Sequence, residues 1–153
     1  MRKDLCLILL ILVSFPIFSW GQTTDIKFIR SNYGDAVANK AICLEMIREL
    51  EKNVQDPLKQ AYLGAFQTIW AKHVNNPINK LSSFKNGCKN IELAVHKNPQ
   101  SVEIRFIRYS VQKHAPRFLG YADNLKEDQA LLKARLHLVN SDQLKTYIQD
   151  ILK

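Results

Sequence analysis

Arg105, Arg108 and Gln112 fall three and four residues apart, a spacing that sets three polar side chains on one face of a helix. Lys113, His114 and Arg117 follow, and Tyr121 lies just beyond. Guanidinium groups grip a carboxylate or phosphate through paired donors, so the cluster could build an anion pocket near Arg108 and Arg117. The structural alternative ties the arginine pair to Glu103 or to helix-end carbonyls across the Pro116 break, where positive charge is favoured anyway. Phe118-Leu119-Gly120-Tyr121 reads as a turn that packs apolar side chains, with Gly120 free to adopt a positive φ.

The other chemistry-bearing residues are dispersed. His73, His96, His114 and His137 share no i, i+3 or i, i+4 spacing, and neither His-Glu-x-x-His nor Cys-x-x-Cys-His occurs. Zinc hydrolysis and attached haem are therefore not indicated. The chain has no Gly-x-Ser-x-Gly elbow, and few glycines are left for a phosphate-cradling loop. Glu49 with Glu51, and Glu127 with Asp128, fall by pattern on solvated helix faces. The balance points away from an enzyme, and no metal or cofactor is expected. Cys43 and Cys88 admit two readings. Export would allow a disulfide between them, whereas their positions on apolar stripes suit two free, buried thiols.

The elements that must position these residues read as helices throughout. Asp56-Pro57 and Asn76-Pro77 each place a capping side chain before a proline at the first helical position. Asn98-Pro99 and Ala115-Pro116 mark two further breaks, and Ser141 is a last candidate cap. Between these marks the apolar residues recur at helical spacing: Ile26 to Val37, Ile42 to Leu50, Leu58 to Trp70, Leu81 to Val95, Ile104 to Val111, Leu125 to Val139, and Tyr147 to Leu152. No Asn-Gly or Asp-Gly joins two alternating apolar runs, so hairpin strands have no turn chemistry to use. The expected fold is all-α, with six or seven antiparallel helices as stacked hairpins or a compact bundle.

Gly87, Ile91, Ala94 and Pro99 are spaced like the second helix of a tetratricopeptide repeat, where small residues let helices approach closely. That match supports hairpin stacking more than membership of the repeat family. The stretch from Glu103 to Tyr121, together with Ile-Arg-x-x-Tyr at 29–33, resembles small uncharacterised exported helical proteins of Bacteroidota. The resemblance implies a fold and a compartment, and carries over no catalytic residue.

The N-terminus completes this picture. Arg2 and Lys3 precede a nearly apolar stretch from Leu5 to Phe18, broken near its end by Pro16, and Ser19-Trp20-Gly21 supplies small residues before a cut. Residues 1–21 thus read as a cleaved signal peptide. The stretch is short of the roughly 20 apolar residues that a membrane-spanning helix needs. Residues 22–153 would form a single helical domain with no transmembrane anchor, periplasmic or secreted. Lack of an Asn-x-Ser/Thr sequon favours the periplasm of a bacterium over a glycosylating pathway. Losing Arg2, Lys3 and Asp4 takes the formal charge from +8 to about +7.

Those charges are scattered among acids, as in Arg48-Glu49-Leu50-Glu51-Lys52, with no dense basic arm. Nucleic acid is a poor partner for such a surface, and poorer still for an exported one. The sequence therefore favours a non-enzymatic module that binds an envelope protein or peptide in a groove between hairpins. Arg105, Arg108, Arg117 and Tyr121 are its candidate contacts. The alternative is a carrier or sensor of a small anionic ligand.

Overall fold

A computed structural model describes residues 25–52 and 54–153, and there the chain is all-helical. Seven α-helices follow in order: α1 (Ile26–Asp35), α2 (Lys40–Glu51), α3 (Pro57–His73), α4 (Pro77–Lys97), α5 (Val102–His114), α6 (Leu125–Arg135) and α7 (Asp142–Leu152). Short 3-10 turns occupy Arg117–Leu119 and Leu136–Leu138. The expected signal peptide, residues 1–21, lies outside the described residues. Among the described residues, no helix is long and apolar enough to cross a membrane.

Capping chemistry sets the helix starts. The Asp56 carboxylate accepts from the amides of Leu58 and Lys59 at 2.8 and 3.3 Å, and Asn76 accepts from Ile78 and Asn79 at 2.9 and 3.1 Å. Pro57 and Pro77 follow as first helical residues, where a missing N–H costs nothing. Ser101 and Ser141 cap α5 and α7 in the same way. Such caps each contribute about 1 kcal/mol and fix where the chain turns.

Helix α3 is the centre of the fold. It carries apolar or small residues on almost every side, including Ala61, Tyr62, Leu63, Ala65, Phe66 and Ile69, all buried. A helix that is apolar all round belongs inside, and α3 packs against α1, α2, α4 and α5. Its antiparallel partner α4 makes the most extensive contact. Gly64 and Gly87 meet at that crossing. A Cβ added to either would come 2.5 Å from the other's carbonyl oxygen, so only glycine permits this approach. A polar ladder runs beside the crossing: Lys97 donates to Gln60, Gln60 to Asn90 and Asn90 to Gln67, at 2.8, 3.4 and 2.8 Å.

Among the described residues, Cys43 and Cys88 are free thiols with no bridge between them. Cys43 is spent on packing: it is fully buried on α2 and its S–H donates to the Phe66 carbonyl of α3 at 3.3 Å. Cys88 is half-buried on α4. Burial pushes the Cys43 thiol up to about 12, and burial together with the nearby Glu92 carboxylate does the same to Cys88.

Candidate functional site: an apolar groove and two polar clamps

Helix α5 carries the residues that the sequence singled out, and the structure gives Arg105 and Arg108 internal partners. Asp128 of α6 is fully buried and faces both arginines. Arg108 donates to it bidentately, from Nε at 2.7 Å and from Nη2 at 2.8 Å. Its third nitrogen donates to Glu92 of α4 at 3.0 Å. Arg105 contacts Asp128 through Nε and Glu127 through Nη2. Gln112 is buried on the same face and donates to Asn124 at 3.3 Å.

These contacts correct the expectation that Glu127 and Asp128 share a solvated face. Glu127 is 62% exposed and Asp128 is 0% exposed, because α6 turns the second inward against α5. Neither arginine presents a free bidentate edge to an outside anion. Burial weakens the Arg108 charge, yet Asp128 and Glu92 more than offset it and hold the guanidinium firmly protonated. Arg105 pulls the Glu127 carboxyl below the usual range.

Tyr121 joins the same network. Its hydroxyl donates to Glu92 at 2.7 Å, and its ring meets Phe84 edge-on at 6.1 Å. The segment Pro116–Tyr121 is thereby tied back to α4. Gly120 takes the positive φ that its turn requires, at 64°. Arg117 is exposed and stands apart from the cluster. Phe118 is 87% exposed, so the turn does not pack all its apolar side chains; only Leu119 and Tyr121 reach the core.

A second clamp sits on α1 and was not foreseen. Arg30 donates to Glu103 through Nε and Nη2, both at 2.6 Å, and Tyr62 donates to the same carboxylate at 2.7 Å. Three helices, α1, α3 and α5, meet at that one acid. Tyr33 then packs edge-on against Tyr62, Phe66 and Phe106 and reaches Ser110 at 3.3 Å. His73 donates from Nε2 to the Ala36 carbonyl at 2.8 Å, which fixes the end of α1 on the end of α3. Ile29, Arg30 and Tyr33 of the Ile-Arg-x-x-Tyr stretch all take part in this junction, which is the signal that could have pointed to it.

Apart from both clamps lies a groove of about 740 Å³, partly open to solvent. Its walls come from the end of α1, the end of α3, the start of α4, the end of α5 and the Pro116–Leu119 segment. Ile69, Phe84, Val111 and Leu119 supply apolar lining, and Val37, Leu81 and Phe118 form an exposed apolar rim. Val37 and Leu81 lie on stripes that read as core, yet here they face the mouth. Ile78, one helical turn before Leu81, is 78% exposed. Lys72, Lys80 and His114 line the groove, and no acid does. Gly34 lines it too, and a Cβ there would meet nothing within 4 Å.

The histidines do not converge, and among the described residues no three of His, Cys, Asp and Glu are grouped to hold a metal ion. His73 and His114 hydrogen-bond to backbone carbonyls. No family model matches the chain, and comparisons with curated proteins and with solved structures return no match. The class of protein is the one its own fold defines: an all-α chain of seven described helices with an apolar groove at one end.

Proposed function

We propose that the chain is an exported, non-enzymatic binding module whose groove receives an apolar helical segment of a protein partner. The exposed apolar rim carries this reading. Val37, Leu81 and Phe118 line the mouth, and Ile78 stands one turn from Leu81, so four of the seven large exposed hydrophobics among the described residues gather at one place. Contiguous exposed apolar surface of this kind marks interaction sites. A small molecule in a pocket of this size is normally enclosed on most sides. A partly open groove with an exposed apolar rim suits an amphipathic helix, which buries one face and leaves the other in water. The arginines are positioning residues in this account: with Tyr121 they hold the wall that presents Phe118.

Gly34→Leu tests the reading without disturbing the fold. The new side chain enters open groove space, and replacing a helical glycine gains up to about 1 kcal/mol. Peptides selected from a displayed random 16-residue library on the wild-type protein should share apolar residues at i, i+3 or i+4 and i+7. They should lose binding to Gly34→Leu and keep it for Phe28→Ser, whose exposed ring lies outside the groove lining. Equal binding to Gly34→Leu would contradict the proposal.

A further inference from the structure

The lining charges are of one sign, and this bears on what the occupant must carry. Lys72 stands in the last turn of α3 and Lys80 in the first turn of α4, on either side of the 74–76 connection. Both are exposed, and neither has an ion-pair partner among the described residues. Lys80 adds its charge to the positive end of the α4 dipole, and no acid in that turn offsets it. With no acid among the lining residues, the edge of this apolar groove is cationic.

Resting on the groove reading above, we infer that the segment taken by this groove is acidic at its flank. It would be an amphipathic helix with apolar anchors on one side and Asp or Glu placed to meet Lys72 and Lys80. Complementary charge at an exposed rim adds little raw affinity but sets orientation and rejects wrongly charged partners. It also discriminates between ends of the helix, because both lysines lie at the same α3–α4 turn. A helix entering with its acidic end there would lay its apolar face toward Phe118 and Leu119.

The library selection, run in parallel on the wild type and on the double variant Lys72→Glu/Lys80→Glu, separates this inference from the groove reading. Both substitutions are at exposed sites, and circular dichroism checks that the variant is folded. Wild type should enrich apolar-anchored peptides bearing Asp or Glu on one flank. A synthetic copy of one such peptide should bind the double variant about tenfold more weakly at low salt, and the difference should shrink as salt rises. The double variant should itself enrich Lys or Arg at the same flank. Apolar-anchored peptides with no charge preference, bound equally by both proteins, would overturn the acidic flank and leave the groove reading standing. Absence of any peptide that distinguishes wild type from Gly34→Leu would overturn both. Displacement of the selected peptide by dodecanoate at micromolar concentration, with stronger thermal stabilisation than the peptide gives, would make the groove a seat for a single-chain anionic amphiphile and would also overturn the inference.

Discussion

Asp128 shows how much one side chain can decide. It is fully buried between Arg105 and Arg108, and each arginine is about 95% covered. Removing Asp128 leaves two buried guanidinium groups with only their more exposed acids, Glu92 and Glu127, whereas Glu127 pairs with Arg105 from a mostly exposed position. Asp128→Ala should therefore lower unfolding free energy by about 3–5 kcal/mol, and Glu127→Ala by less than about 1 kcal/mol, as read by chemical denaturation. Comparable losses for the two would mean that the pair does not differ in burial as described. The thiols give a second residue-scale expectation. Their folded values are raised from near 9 to about 12, so the folded state keeps protons that the unfolded chain releases. That stabilisation is complete below pH 9 and is lost as pH rises from about 9 to 12. At pH 8 iodoacetamide should alkylate Cys43 and Cys88 roughly a hundredfold more slowly in the native protein than in denaturant. Alkylation of the native protein at the rate of a free thiol would contradict the burial. Type and spacing already place Arg105 and Arg108 on one helix face. Their partner comes from α6, some twenty residues on, and no local pattern marks Asp128 as the acid that turns inward.

At the scale of the helices, the α3–α4 crossing is the tightest joint. Propensity alone says that Gly64→Ala or Gly87→Ala should stabilise a helix by about 1 kcal/mol. The crossing says the reverse, because the added methyl meets a carbonyl oxygen and a backbone nitrogen of the opposite helix at 2.5 and 2.9 Å. Forcing the helices apart should cost about 1–3 kcal/mol, visible as an earlier midpoint in thermal or urea unfolding. A rise in stability for either variant would show that the helices do not approach this closely. Most of this scale was legible beforehand. Asp56-Pro57, Asn76-Pro77 and Ser141 mark helix starts through chemistry that is local in the chain, and the structure begins helices there. Gly87 was legible as a small residue at a close approach, but its counterpart Gly64 was not. A crossing point depends on two helices, and periodicity reports on one at a time.

For the whole molecule, the same limit explains why the groove was not read from the sequence. Spacing groups Val37 with Ile29 and Tyr33, and Leu81 with Phe84, but cannot say where along a stripe its cover ends. The helix ends α1, α3 and α5 run out at one end of the molecule, and the stripes continue past them into the groove mouth. Phe118 is exposed for a related reason: the Tyr121–Glu92 bond and the Gly120 turn fix the segment, leaving the preceding ring outside. The two buried clamps, centred on Glu103 and Asp128, join α1, α3, α4, α5 and α6, and the apolar space lies where the core does not fill the ends of those helices.

The affinity of a wild-type-selected peptide for Gly34→Leu, measured beside the melting temperature of the same variant, tests this account most directly. A groove-docking module predicts that binding falls by at least about tenfold while the melting temperature holds or rises. Unchanged affinity in an equally stable variant would contradict it, because the groove would then be blocked without consequence.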